Sequence, residues 1–291
     1  MTRRWVAAHL PPRPETAHKG DFGRLLVVAG STEYPGAALL AGLGAMRAGV
    51  GVVRVAVAES VADRLAGTIP ELTWMALDEE APGLIAPSGW RHVTTEAAAY
   101  DAVVLGPGLG QQPATQRRAR NLVSALRVPA VVDADGLNAL AGGSTWWTGL
   151  RAPLVLTPHP GEFARLMRGE PVPADDETRA RAAAEAADRW GHVVVLKGAN
   201  TVVAAPDGQL LRSGVSSAAL ATAGTGDVLA GVIGAFLAGG LEPFVAAACG
   251  VAVHGAAGVL AADGIGSTGA MARDVAGLLP QAIRQARGGG P

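Results

Sequence analysis

Short apolar runs alternate with longer stretches of helical period along most of the chain. Residues 24–31 (RLLVVAGS), 52–57, 101–105, 130–133, 154–156 and 193–196 are rich in Val and Leu. They lack the polar alternation of a half-wet strand, which predicts strands buried on both faces. Segments 36–49, 59–67, 114–126 and 175–190 read as helices. The last is long and polar, with Arg/Glu pairs near i,i+4 spacing that favour an exposed face. Residues 201–205 and 209–212 flank Pro206-Asp207-Gly208, a hairpin signal. Apolar helices at about 227–238, 244–262 and 270–286 are expected as a packing layer. Together these elements predict an α/β fold, a mostly parallel central sheet with helices on both faces. No Pro/Ser linker, composition break or internal repeat intervenes. One domain over 1–291 is therefore expected, with 1–17 a poorly ordered or extended leader.

Composition then narrows the function. Lys+Arg number 24 against 25 Asp+Glu, a net charge of -1, and no basic run occurs, so a nucleic-acid partner is excluded. With 49% hydrophobic and 17% charged residues the chain is too apolar to be disordered. Cys249 stands alone, so no internal disulfide marks an oxidising compartment. Residues 1–19 are Pro- and Arg-rich without an apolar core, unlike a signal peptide. The 244–262 stretch nearly reaches the length of a membrane span, yet it is built largely of Ala and Gly and carries His254. A buried helix fits that composition better. A cytoplasmic protein with no membrane partner is the expectation. Glycine, at 40 residues, is about twice its ordinary usage, which points to turns, tight packing and close backbone approaches.

In a parallel sheet of this kind the ligand lies beyond the carboxyl ends of the strands. The residues found there are Gly30-Ser31, Gly106-Pro107-Gly108-Leu109-Gly110, Asp133-Ala134-Asp135-Gly136-Leu137-Asn138, His159-Pro160-Gly161-Glu162 and Lys197-Gly198-Ala199-Asn200-Thr201. Five such ends together imply a wide cleft for a large ligand. Ala223-Gly224-Thr225-Gly226-Asp227 then opens an apolar helix. Glycines just before a helix leave backbone N–H groups free on its positive end, a site for phosphoryl oxygens. Asp227 has two readings: an N-cap, or a base beside the transferring phosphoryl group. The Gly-Thr-Gly before it and the strand-end pattern favour the base.

Weaker patterns carry less. In Gly42-Leu43-Gly44, Arg47 replaces the third glycine of a dinucleotide fingerprint, so helix packing is expected. Asp21-Phe22-Gly23 lacks the other kinase motifs, and no Walker A sequence occurs. The six histidines show no metal-ligand spacing, so no metal ligands are assigned. His159, between two prolines at a strand end, is the one histidine read as functional. Trp146-Trp147 is read as a loop pair over apolar surface, with base stacking the alternative.

These segments resemble the ribokinase-like superfamily, and within it the ADP-dependent NAD(P)H-hydrate dehydratases. The resemblance runs in order over nearly all of the chain, through His18-Lys19-Gly20, Pro35-Gly36-Ala37, residues 106–110, 132–140, 157–162, 195–201 and 221–231. It implies repair of NADH and NADPH that have added water across a ring double bond. The family phosphorylates the ring hydroxyl from ADP, giving AMP, and loss of phosphate restores the dihydropyridine. The same resemblance implies nucleotide contacts at Lys197, Gly198, Ala199, Asn200, Thr201 and Gly226, and hydrate contacts at Ala37, Gly108, His159 and Asp227. Asp227 would take the hydroxyl proton while the N–H groups of Gly224, Thr225 and Gly226 stabilise the moving phosphoryl group. Lys197 is open between pairing with the diphosphate and a structural ion pair. Asp133 and Asp135 are open between placing Mg²⁺ through waters and a turn role.

Many relatives carry this domain behind an epimerase domain. Only about twenty residues precede the matching region here, so a separate NAD(P)HX epimerase is expected as functional partner. The resemblance also implies a homo-oligomer, a tetramer. Ala223 stands where relatives often have Pro or Gly. The rival readings are an ATP-dependent kinase of a small alcohol such as a vitamin precursor, and a nucleotide sensor without chemistry.

Overall fold

The apolar runs pair into one sheet. In the computed structural model, which describes residues 1–172 and 175–288, they form β1 (Arg24–Val28), β2 (Val52–Ala58) and β3 (Thr73–Leu77). After a small antiparallel pair, β4 (Glu79–Ala81) and β5 (Leu84–Ile85), come β6 (Ala102–Leu105), β7 (Ala130–Val132), β8 (Leu154–Leu156), β9 (Val193–Leu196), β10 (Val202–Ala204) and β11 (Leu210–Arg212). The main sheet has nine strands in the order β11-β10-β9-β8-β7-β6-β1-β2-β3. It is parallel from β3 to β9, and the predicted hairpin adds β10 and β11 antiparallel at one edge. Residues 173–174 and 289–291 of the expected 1–291 domain lie outside the described residues.

Register brings the functional loops together. Val28 pairs with Leu105, Leu105 with Val132, Val132 with Leu156 and Leu156 with Val194. The carboxyl ends of five strands therefore form one row, and the loops after them open on one rim. β6, β7, β8 and β9 are buried along their whole length, as a sheet covered on both faces requires.

The helices are α1 (Arg3–His9), α2 (Pro35–Ala48), α3 (Glu59–Leu65), α4 (Pro87–Glu96), α5 (Pro113–Ala125), α6 (Asp135–Ala141), α7 (Pro160–Leu166), α8 (Asp176–Trp190), α9 (Thr225–Ala238), α10 (Pro243–Gly264) and α11 (Ala272–Ala286). α2, α9, α10 and α11 pack on one another, with α9 against β1, β6 and β7, while α4 to α7 form a separate run of neighbours. A Cβ on Gly231 would fall 2.0 Å from the Ala41 carbonyl oxygen, and one on Gly44 2.4 Å from that of Val228. The two helices thus meet backbone to backbone, which fixes where α9 begins. This contact accounts for part of the glycine excess and confirms Gly42-Leu43-Gly44 as packing. α10 is the one helix among the described residues with the length and apolarity of a membrane span, but 72% of its most apolar window is buried in the fold. It is a core helix.

Two departures from expectation have local causes. The first seventeen residues are not simply an extended leader. The Thr2 side chain caps α1 by accepting from the Trp5 amide, and Val6 and Leu10 enter the core. α8 is not exposed throughout, because Ala180, Ala183, Ala186, Ala187 and Trp190 bury one face. β3 and α4 fall in a region that carried no prediction. β3 is an edge strand with Thr73 and Ala76 exposed, so its apolar signal is diluted.

Candidate active site

The turn before α9 is built for an anion. Gly224 occupies the N-cap position with φ +89°, a left-handed conformation suited to glycine, and no side chain caps the helix. The Thr225 amide donates to Thr222 O at 3.3 Å, and its hydroxyl donates to Leu220 O and Thr222 O. Thr225 therefore braces the turn, and its N–H is not one of the open donors, contrary to the sequence expectation. The amides of Gly224, Gly226 and Asp227 meet no acceptor among the described residues. They lie at the positive end of a fourteen-residue helix.

Asp227 lies in the third helical position, so it is not the N-cap. Burial, reinforced by the Asp133 carboxylate, pushes its carboxyl up to about 7; Lys197 opposes this and Asp135 and Glu162 add to it. A carboxylate with that affinity for protons is matched to proton transfer near neutrality.

Lys197, at the end of β9, is the cationic hub. Its Nζ donates to Asp133 Oδ1 at 2.8 Å and lies 3.9 Å from Glu162 Oε2. Thr157 Oγ1 donates to the same Asp133 oxygen at 2.7 Å. Burial alone would lower the lysine's pKa, but Asp133 and Glu162 outweigh it and hold the ammonium above its ordinary value. Its side chain is 19% exposed. The nearest heavy atom to a Cβ built on Gly226 is this Nζ, at 3.4 Å.

His159 and Glu162 form a reciprocal cap on α7. The His159 Nδ1 accepts from the Gly161 and Glu162 amides, and the Glu162 Oε2 accepts from the His159 amide at 2.8 Å. With Nδ1 an acceptor, the neutral imidazole carries its proton on Nε2, 3.3 Å from Glu162 Oε1. Burial, then Lys197 and Arg165, lower the imidazole's pKa. Burial pushes the Glu162 carboxyl up to about 7 against the pull of Lys197. Beside them Asp135 accepts from the Gly110 amide and from Asn138, which in turn accepts from Arg165.

Two cavities flank the start of α9, one lined by Thr225 and Gly226 and the other by Asp227. One, of about 430 Å³, is lined by Lys197, Gly198, Ala199, Thr201, Thr225 and Gly226, with apolar and hydroxyl side chains from 213–229 and α10. The other, of about 540 Å³, is lined by Ala37, Gly108, His159 and Asp227, together with Asp135, Asn138, Glu162 and Arg165. All four residues assigned to the hydrate thus share one cavity, and five of the six assigned to the nucleotide share the other. Asn200 is the exception: its side-chain amide donates to Asp176 at the start of α8. Gly108 is packed at φ +64°, where a Cβ would lie 2.7 Å from the Tyr34 Cβ.

Sequence reasoning did not assign Glu162, although its signal was present in the His-Pro-Gly-Glu segment, nor His254. The latter is buried in α10, lines the first cavity and is pushed down to about 4 by burial, so it is neutral. Trp146 packs edge-on to Trp147 and against Trp190 and lines neither cavity, so the pair covers apolar surface as expected.

Residues 25–281 match the NAD(P)H-hydrate dehydratase family model. The bifunctional NAD(P)H-hydrate repair enzyme Nnr of Moorella thermoacetica is 43% identical over 98% of the chain and 53% of that protein. The chain thus spans about half the length of the curated relatives of that type. The ADP-dependent (S)-NAD(P)H-hydrate dehydratase of Bacillus subtilis is 36% identical over 96% of both chains. A crystal structure of the ADP/ATP-dependent NAD(P)H-hydrate dehydratase from Bacillus subtilis, co-crystallised with ATP and Mg²⁺, superposes with TM-score 0.82 at 35% identity, covering 98% of this chain and 97% of that one.

Proposed function

Since the chain belongs to the NAD(P)H-hydrate dehydratase family, we propose that it dehydrates hydrated NADH and NADPH with ADP, yielding the reduced cofactor, AMP and phosphate. The observation that carries this reading is the position of Asp227, which lines one cavity while the amide-lined turn it shares with Gly226 borders the other. ADP occupies the cavity of Lys197, Gly198, Ala199, Thr201 and Gly226. The hydrate occupies that of Ala37, Gly108, His159 and Asp227. Hydroxide is a poor leaving group and phosphate a good one, so a dehydration gains from a phosphoryl-transfer site.

Asp227 takes the hydroxyl proton as the β-phosphoryl group of ADP moves onto that oxygen. The open amides of Gly224, Gly226 and Asp227 and the Lys197 ammonium stabilise the charge on the moving group, often the largest catalytic contribution. Mg²⁺ accompanies the nucleotide. The fit is electrostatic: Asp133, Asp135, Glu162 and Asp227 lie within reach of one another against a single lysine. Among the described residues no three His, Cys, Asp or Glu side chains form a metal cage, which suits an ion that keeps waters and binds substrate phosphates. Asp133 and Asp135 would face it through waters. Bound there, the ion neutralises phosphate charge.

An epimerase acting on the same hydrates is the functional partner in this reading, and the setting is cytoplasmic. Exposed Ile265 and Met271 are large apolar side chains that a homotetramer would cover, a state sedimentation measures. The function is tested by incubating the protein with hydrated NADH, Mg²⁺ and either ADP or ATP. With ADP, return of the dihydronicotinamide absorbance with stoichiometric AMP is expected. A stable phosphorylated product with no absorbance gain would identify a kinase instead.

A further inference from the structure

The dehydration must remove two protons, and the mechanism above accounts for one. Asp227 takes the proton of the hydroxyl. Restoring the ring double bond also requires loss of a hydrogen from the carbon beside the one that carried the oxygen. We propose that Glu162 is the base that takes this second proton, a role that rests on the dehydratase reading of the site.

Asp227 already serves the hydroxyl and the phosphate; among the other acidic and imidazole groups that line the hydrate cavity, the geometry singles out Glu162. Glu33 is exposed at the rim. Both carboxylate oxygens of Asp135 are engaged, by the Gly110 amide and by Asn138. The His159 Nδ1 is consumed as the cap acceptor of α7, which leaves the neutral ring a proton on Nε2 and no free lone pair. Glu162 Oε1 accepts no hydrogen bond among the described residues and lies 3.3 Å from that Nε2, while Oε2 is held by the His159 amide. The carboxylate is therefore held at Oε2, which lies 3.9 Å from the Lys197 ammonium, and open at Oε1. Its position at the third residue of a short capped helix makes it rigid. Burial, which raises its carboxyl to about 7, suits a base working near neutrality.

The steps balance. In the first, the hydroxyl oxygen gains the phosphoryl group, AMP departs and Asp227 holds the proton. In the second, the ring nitrogen lone pair forms a carbon–nitrogen double bond as the carbon–oxygen bond breaks. The Asp227 proton returns to the departing phosphate, which leaves as hydrogen phosphate. In the third, Glu162 takes the proton from the neighbouring carbon, that C–H electron pair becomes the ring double bond, and the lone pair returns to nitrogen. Glu162 then releases its proton to solvent, so the net products are the dihydropyridine, AMP, hydrogen phosphate and one proton.

Single-turnover reactions with ADP, Mg²⁺ and hydrated NADH separate the two halves, because AMP reports phosphoryl transfer and dihydronicotinamide absorbance reports elimination. In Glu162→Gln, AMP formation is expected within about threefold of the parent rate. Absorbance return should slow by on the order of 10²-fold, the usual worth of a positioned base, with the carbon–nitrogen double-bond intermediate recaptured by phosphate or water as phosphorylated or free hydrate. Hydrate prepared in D₂O carries deuterium at the neighbouring carbon and should slow the absorbance signal of the parent further, without slowing AMP. His159→Asn keeps a cap acceptor but loses the Nε2–H, and should show a smaller loss confined to the same signal. If AMP and absorbance rise together in Glu162→Gln, Asp227, the departing phosphate or water takes the proton and the proposal falls. It also falls if Glu162→Gln, folded by its melting curve, loses AMP formation equally, since the residue then only positions Lys197. If Glu162→Gln does not fold, His159→Asn and the deuterium effect decide alone: AMP and absorbance slowed equally would overturn the role. A parent protein that forms no AMP with hydrate present refutes the dehydratase reading, a distinct outcome.

Discussion

The two cavities flank the start of α9 but differ in kind. The cavity proposed for the hydrate is lined by Glu33, Asp135, His159, Glu162, Arg165 and Asp227, whereas titratable groups in the one proposed for the nucleotide are Lys197 and a neutral His254 among glycine, alanine, valine and serine. Proton chemistry is concentrated in one, and shape with backbone donors in the other. Substitutions of side chains on the hydrate side should therefore cost rate, and those on the nucleotide side should cost geometry or little at all.

The largest effect is expected at Asp227. Asp227→Asn should bind ADP normally by calorimetry yet lose on the order of 10² or more in turnover; near-parent turnover would remove it as the base. Next is Lys197→Met, at the junction. It leaves Asp133, 1% exposed, without its ionic partner, and removing one member of a buried pair costs about 3–5 kcal/mol. Chemical denaturation should register that loss and ADP titration a weaker affinity. An unchanged titration with lowered stability would assign Lys197 to structure alone.

pH separates the sides further. Asp227 and Glu162 are both raised to about 7 in the fold, while unfolded carboxyls titrate near about 4. The native state binds the extra protons, so this contribution to stability is complete below about pH 4 and is lost as pH rises through about 7. Melting temperature should fall between pH 5.5 and 8.5 while turnover, which needs ionised Asp227, rises. The Asp227→Asn/Glu162→Gln double variant should flatten the melting trend.

What was legible in the sequence follows the same division. Asp227, Lys197 and His159 stood out because glycine-rich turns at apolar strand ends are unusual in number. Glu162 was hidden, because an acid three residues after a helix cap reads as capping, which it also does. The glycines beside Thr225 suggest an open donor there; its binding to Thr222 and Leu220 depends on how the preceding turn folds back. The parallel sheet followed from its buried strands, but β3 and α1 did not, since an edge strand and a short amphipathic segment carry little periodic signal.

Two smaller effects sharpen the contrast. Gly224→Ala places a Cβ 2.5 Å from Leu40 Cδ1 at φ +89°, and left-handed backbone alone costs about 1–2 kcal/mol outside glycine. A lower unfolding midpoint and a modest loss of turnover are expected. Asn200→Ala, whose side chain is held by Asp176, should change ADP binding by no more than about 0.5 kcal/mol; a larger loss by calorimetry would return that side chain to the nucleotide.

The central claim is that the α9 turn holds the phosphoryl group at the wall between the cavities. A crystal structure with ADP and Mg²⁺ tests it most directly. The account predicts β-phosphate oxygens within about 3 Å of the Gly226 and Asp227 amides, with the Asp227 carboxylate facing them from the hydrate side. A β-phosphate directed away from Asp227, or adenine seated among His159 and Asn138, would contradict it.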